Sequence, residues 1–464
     1  MDVSPDRIAG DSAQEIAESV RGLIDSGELA PGDALPPYRR LAEHLGVNRN
    51  TTIAAYRQLA VAGAVETRGR GGTIVLGPHL GTEEGFLLGT TLRDVGSGNP
   101  DAALLPNPAD VSLPAAPPRL YGETPIDPAL AAWATEWIRA DRARPFSLSV
   151  TSGAVDAVER LLAGALAVGD AVALEDPCYL TSINTTRVAG YRTIPVPVDA
   201  DGMTPDGLRA ALEQGARAVV CTPRAHNPTG VSVSPERAAE LRATLEGYPN
   251  VLVVEDDHFS LLSTSTPVSI VPPEHRRWAL VRSVSKFLGP DLRLALVATD
   301  DDTARRLALR TGSGATWVSH LLQRTVHALV SDASVLARVR QARAHYAKRN
   351  LAFVERLRLV GVPTASRDGL NVWVDVATDA TEVADGLADR GWLVREGGMF
   401  TLGDEASTRL RFTVHDLTDA EQETLVEDLI AAREAAANGL SPSAGTTHRS
   451  PDVHESGTRG EDAP

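Results

Sequence analysis

Lysine is nearly missing from this sequence. Of 45 basic side chains in 464 residues, 43 are arginine, and only Lys286 and Lys348 are lysine. A lysine that survives such a bias is a candidate for a task arginine cannot do, although composition alone leaves a stray surface lysine open. Lysine sheds its proton and acts as a nucleophile, whereas arginine stays charged. Cysteine is just as scarce. Cys178 and Cys221 are too few for a disulfide framework and fit a reducing compartment. No apolar run approaches the roughly 20 residues of a membrane span. The first residues, MDVSPDRIAGD, are acidic and lack the apolar core of a secretory signal. Internal repeats are missing too. Together these absences predict a cytoplasmic protein with no membrane partner.

The composition is that of a globular protein, 43% hydrophobic and 23% charged, and the length allows two or three domains. Net charge is −16, so a nucleic-acid partner needs a locally basic patch.

Four segments follow from the patterning: 1–76, a linker over 77–97, a large unit over 98–436, and a tail over 437–464. In the first, Ile16, Val20, Leu23 and Ile24 recur at helical spacing, predicting a helix over 12–26. A turn-rich GELAPGDALPP follows. Residues 37–45 form a second helix, broken at Gly46, and Asn48 caps a third that runs to about Ala62. VETRGRGGTIVL then reads as a hairpin. In the large unit, SLSVTSG, AVALEDP, ARAVVCTP, NVLVVEDD, WALVRSVS and RLALVAT read as strands alternating with helices such as 153–167 and 234–247. That alternation predicts an α/β doubly wound, mainly parallel sheet. Helical stretches over 302–310 and 315–359, the runs LNVWVDV and RLRFTVHD, and a closing helix predict a smaller α+β part. Beyond residue 437 the only large apolar residues are Leu440 and Val453, so the tail is expected to be disordered.

Three helices and a hairpin make a winged helix-turn-helix. Across residues 36–76 six arginines face two glutamates, a local balance of +4. NRNTT places backbone N–H groups and short polar side chains at a helix start, suited to phosphate. Arg49 suits a guanine edge, and Arg68 and Arg70 suit a wing against the backbone or minor groove. The stretch LPPYRRLAEHLGVNRNTTIAAYRQLAVAGAVETRGRGGT closely resembles the GntR family of bacterial regulators over about residues 11–76. The resemblance implies that Arg39, Asn48, Arg49, Asn50 and Thr51 contact double-stranded operator DNA, with the wing around Gly71 and Gly72.

Lys286 closes the strand run WALVRSVSK, with Ser283, Ser285 and Arg293 nearby. Two hydroxyls and a guanidinium hold a phosphate while an amine condenses with an aldehyde beside it, the set that pyridoxal 5'-phosphate needs. Its other needs have candidates. TSGAVDAV opens a helix, so Ser152, Gly153 and Ala154 offer backbone N–H groups to a phosphate. EDPCY puts Tyr179 past a strand end, where it can stack on a ring. HNPTG offers the Asn227 amide to a phenolic oxygen, and VLVVEDDHF ends on Asp256, a partner for a protonated ring nitrogen. The ordered combination resembles the fold-type-I aminotransferases over about residues 98–436.

That resemblance assigns Lys286 to the Schiff base, Asp256 to the ring nitrogen, Asn227 to the phenolic oxygen, Tyr179 to stacking, and Ser283, Ser285 and Arg293 to phosphate. It also implies a substrate- or effector-carboxylate arginine on RLRFTVHDL: Arg411, with Arg409 on the same strand face as the second choice. Tyr121 is implied at a dimer interface. The chain departs from the family at His258, where members usually carry tyrosine; a histidine there can still donate to the phenolic oxygen.

A GntR-type head joined to an aminotransferase-like unit resembles the MocR regulators. The resemblance implies a homodimeric transcription factor sensing pyridoxal phosphate, an amino acid or amine, or both. An aminotransferase with a regulatory DNA-binding head stays open as the alternative.

Overall fold

The computed structural model describes residues 3–30, 32–61, 64–67, 72–75, 85, 90–113, 117–312, 314, 316–362, 364–403 and 406–438. Arg68, Arg70, Gly71, most of the 77–97 segment and the tail from 439 onward lie outside the described residues.

The first unit packs α1 (Ala13–Asp25), α2 (Tyr38–Leu45) and α3 (Arg49–Val61) on a small antiparallel sheet of β1 (Ala34–Leu35), β2 (Val65–Thr67) and β3 (Thr73–Val75). The Ser12 hydroxyl caps α1 by accepting the Glu15 N–H. Gly46, with φ at +67°, ends α2 in the left-handed conformation that a Cβ disfavours. Asn48 starts α3, its Oδ1 accepting the Asn50 N–H at 2.8 Å. Ile16, Val20, Leu41, Ala55, Tyr56 and Leu59 form one core, and the Tyr56 hydroxyl donates to Pro36 O at 2.7 Å.

Next in the chain come β4 (Arg93–Asp94), α4 (Pro128–Arg139), β5 (Ser147–Thr151), α5 (Ala154–Ala165), β6 (Ala171–Asp176), α6 (Leu180–Val188), β7 (Arg192–Asp199) and β8 (Gly202–Met203). After them run α7 (Pro205–Glu213), β9 (Ala216–Cys221), α8 (Pro235–Glu246), β10 (Leu252–Asp257), β11 (Trp278–Ser283), α9 (Ser285–Leu288) and β12 (Ala295–Thr299). The sheet order is β5-β12-β11-β10-β9-β6-β7-β8. β6, β7, β9, β10 and β11 pair in parallel, whereas β12 runs antiparallel to β11 and β5. Each face carries its own core. Leu252, Val254, Ala279 and Val281 pack with α5, while Val253, Leu280 and Trp278 pack on the other side with α4, α7 and α8. β7 was not among the strands read from the sequence, because Pro195 and Pro197 interrupt its pattern. It tolerates them because it ladders fully only with β6 and meets just two residues of β8 on its other edge.

Helices α10 (Asp301–Gly312), α11 (His320–Ser331) and α12 (Ala333–Leu359) lead to the smaller part. There α13 (Ala380–Ala388) and α14 (Asp419–Ala437) accompany β13 (Asn371–Asp375), β14 (Trp392–Leu393), β15 (Arg395–Glu396) and β16 (Arg409–Thr413). α12 belongs to both cores: Val335, Val339 and Tyr346 pack in the large part, Phe353 and Leu357 in the small one. A capping box at Thr418 and Glu421 starts α14. The last residues read as linker are built into the small part. β4 pairs in parallel with β14, and Val95 is buried in the same core. Among the described residues no helix is long and apolar enough to cross a membrane.

Candidate functional site

The parallel strands end along one rim, and the residues singled out above gather there. Ser152 and Gly153 follow β5, Tyr179 follows β6 as the N-cap of α6, and Asn227 follows β9. Asp256 is the penultimate residue of β10, Ser283 ends β11, and Lys286 lies in the short α9. Because β12 runs the other way, Arg293, just before it, reaches the same rim.

Gly153 N-caps α5 with φ at +98°, and a Cβ there would come within 3.8 Å of the Arg293 guanidinium. The uncapped helix start and an exposed arginine thus lie side by side, a pairing that suits an anion. One expected donor is engaged already: the Ser152 N–H donates to Asp156 Oδ2 at 2.9 Å, and Asp156 also pairs with Arg160 at 2.6 Å. Gly153 and Ala154 complete the expected set. Ser283 is buried, and its hydroxyl accepts the Ser285 N–H at 3.2 Å. Lys286 is half-buried and donates to Gly98 O at 2.8 Å.

Asp256 and Asp257 stand on opposite faces of β10. The Asp256 Oδ1 is buried without a hydrogen-bond partner. Burial, then the neighbouring Asp257 and Glu175 carboxylates, push its pKa up to about 7. A buried acceptor in that state suits a ring N–H. Asp257 is buried too, but Arg224 at 2.6 Å and Arg282 at 3.0 Å overcome the burial and hold its carboxyl below the usual range.

Asn227 is oriented by its neighbours. Its Oδ1 accepts from Asn371 Nδ2 at 3.1 Å and from Arg411 Nη1 at 3.0 Å, which assigns the donor role to Nδ2. Arg411 is buried, lies 4.6 Å over the Phe400 ring and also donates to Gly96 O at 2.6 Å. Arg409 is exposed and pairs at 3.0 Å with Asp375, its cross-strand neighbour. His258 is half-buried just beyond β10. Tyr121 is 88% exposed and meets the Trp317 ring at a tilt, with centroids 5.3 Å apart.

In the first unit, Arg39 is exposed on α2, while Asn48, Arg49 and Asn50 are exposed and Thr51 is half-buried at the start of α3. Arg49 lies 4.9 Å over the Tyr38 ring. Gly72, with φ at +82°, opens the second strand of the hairpin.

Sequence reasoning missed the residues that hold these in place: Gly96, Gly98, Asn371, Phe400, Thr413 and the Glu175–His226 pair. His226 had a signal, since it opens HNPTG. The glycines act through backbone carbonyls, which leave none.

Comparison with known proteins agrees with both halves. Residues 12–75 match the gntR family of bacterial regulatory proteins, and residues 106–429 match class I and II aminotransferases. The chain is 46% identical over 427 residues to the vitamin B6 salvage pathway transcriptional repressor PtsJ of Salmonella typhimurium, covering 91% of this chain and 98% of that one. The chain belongs to the MocR-type GntR regulators. Two more distant relatives of this MocR-type chain are the pyridoxine biosynthesis regulator PdxR of Corynebacterium glutamicum and the probable rhizopine catabolism regulatory protein MocR of Rhizobium meliloti. PdxR is 28% identical over 72% of this chain and 76% of its own; MocR is 26% identical over 74% and 77%. The larger unit of this MocR-type protein has the fold of kynurenine aminotransferase from Pyrococcus horikoshii. The TM-score is 0.66 at 20% identity, covering 75% of this chain and 91% of that one. That enzyme was solved with PMP, and the aminotransferase family is pyridoxal-phosphate dependent.

Proposed function

We propose that this chain is a homodimeric repressor of vitamin B6 salvage genes that works in the cytoplasm. It binds double-stranded operator DNA through α2, α3 and the wing, and it senses pyridoxal phosphate at Lys286. The observation that carries the reading is the partnerless Asp256 Oδ1 on the rim that also holds Lys286. When bound, pyridoxal phosphate supplies an electrophilic aldehyde carbon on a cationic ring. Lys286 offers the amine that takes it, and Asp256 holds the proton on the ring nitrogen. Asn227 Nδ2 and His258 donate toward the phenolic oxygen, and Tyr179 offers its ring face. Gly153, Ala154, Ser283, Ser285 and Arg293 take the phosphate. Arg411 is the place for an effector carboxylate, should an amino acid join the cofactor.

The name of the 46% identical repressor supports the choice of target genes and the sign of regulation. DNA affinity changes only by the difference in ligand affinity between the two arrangements of the protein, typically about 5- to 150-fold. The test is operator binding by the purified full chain, with and without pyridoxal phosphate, beside Lys286→Ala. A ligand-dependent shift in the wild type, abolished in the variant, supports the reading. Equal affinity in wild-type protein with and without the ligand rejects it.

A further inference from the structure

The chain enters the large unit through a buried segment, and that segment is tied to the site by its main chain. The Val95 carbonyl accepts the Thr413 N–H at 2.6 Å, and Gly96 O accepts from Arg411 at 2.6 Å. Gly98 O accepts from Lys286 Nζ at 2.8 Å, while the Gly98 N–H donates to Thr413 Oγ1 at 3.0 Å. Asn99 O bonds His415 Nε2 at 2.8 Å. Upstream, the Arg93 and Val95 N–H groups donate to Gly391 O and Leu393 O, both at 2.8 Å. The fit is close: a Cβ on Gly96 would lie 2.8 Å from Arg395 N and 2.9 Å from Val394 C. Gly98 has φ at +65°. Next upstream in the chain comes the connection to the DNA-binding unit.

We propose that residues 95–99 are a strap that reads the site's occupancy and passes it toward the DNA-binding unit. An aldehyde takes the Lys286 anchor, and a carboxylate takes the Arg411 anchor. This rests on the function proposed above and names its regulatory element. The first step balances simply. The lysine nitrogen bonds to the aldehyde carbon, and the carbonyl oxygen leaves as water with the two amine hydrogens. Nζ is left with at most one hydrogen, and that one is drawn to the ring's phenolic oxygen, so the donation to Gly98 O is given up. The second step is an exchange of partners: a carboxylate competes with Gly96 O for Arg411 Nη2, and a charged acceptor wins over a neutral one. Pyridoxal phosphate alone therefore loosens one anchor. An amino acid with its carboxylate loosens the other.

The experiment follows amide hydrogen exchange in the peptide spanning 93–101 of the full chain, alongside anisotropy binding to an operator duplex selected from random DNA. Pyridoxal phosphate should speed exchange over 95–99 by roughly five- to tenfold in wild-type protein, the effect of losing one anchoring hydrogen bond. Lys286→Ala without any cofactor should already exchange fast and bind the duplex as ligand-saturated wild type does. A variant fixed merely in the unliganded state would not. Thr413→Val, which cuts one strap bond without touching the amine, should also exchange faster when cofactor-free. The strap is overturned if the ligand moves operator affinity while exchange over 95–99 stays put. It is also overturned if cofactor-free Lys286→Ala matches cofactor-free wild type in both measurements. If the ligand leaves wild-type operator affinity unchanged, the parent reading falls, and the strap with it.

Discussion

Asp256 and Asp257 are consecutive residues of one buried strand, and their surroundings push their carboxyls in opposite directions. The first faces the site with an unpartnered oxygen and a pKa pushed up to about 7 by burial. The second is clamped between Arg224 and Arg282 and is held ionised. Strand alternation alone separates them.

The raised Asp256 makes cofactor-free stability depend on pH. An unfolded aspartate ionises near pH 4, so the buried neutral form costs nothing below that. The penalty builds as pH rises from there through about 7. Asp256→Asn should therefore melt higher than wild type at pH 8 without cofactor, with the gap clearly narrower at pH 5. Melting curves at the two pH values decide it; a pH-independent difference rejects the raised carboxyl. The same variant should bind pyridoxal phosphate more weakly.

Asp257→Ala leaves Arg224 and Arg282 buried with a charge too few. Arg224 retains the Ser265 carbonyl at 3.1 Å, and Arg282 retains Asp141 and the Trp137 carbonyl. A loss of about 3–5 kcal/mol in unfolding stability is expected, from urea titration. A loss under about 1 kcal/mol, the scale of an exposed pair, would show that the clamp is solvated.

Arg293→Ala tests the phosphate cradle. Affinity for pyridoxal phosphate should fall by roughly ten- to hundredfold, as when a charge-assisted hydrogen bond is lost. Affinity for pyridoxal, which has no phosphate, should hardly move. Equal losses for both ligands would place Arg293 outside the cradle. Absorbance titration measures both.

Arg49→Ala should weaken operator binding by about 1–3 kcal/mol and relax the preference at one base pair. The absorbance of bound pyridoxal phosphate should stay as in wild type. A uniform loss across all DNA sequences would reassign Arg49 to phosphate contact.

Much of this was legible in the sequence because strands and helices announce themselves by period and the site sits at strand ends. Six of the large sheet's eight strands were readable. β7 was hidden by Pro195 and Pro197, and β8 has only two residues. On β16, residue parity put Arg409 and Arg411 on one side but could not say which stays inside. The small sheet decides that: Arg411 sits between Trp373 and Arg395 in register, whereas Arg409 lies at the exposed start of the strand. The strap was least legible. Weak periodicity over 77–97 reads as linker, yet its last residues are buried and bonded through main-chain atoms, which carry no side-chain pattern.

The shortage of lysine gives the molecule a built-in ruler. A lysine-specific endoprotease meets only two candidate bonds in the whole chain, after Lys286 and after Lys348. Lys348 is exposed on α12, and Lys286 is half-buried and tethered to Gly98. A nick at the first bond versus the second is thus a gel-readable record of how accessible the site's rim is, with no dye or reporter attached.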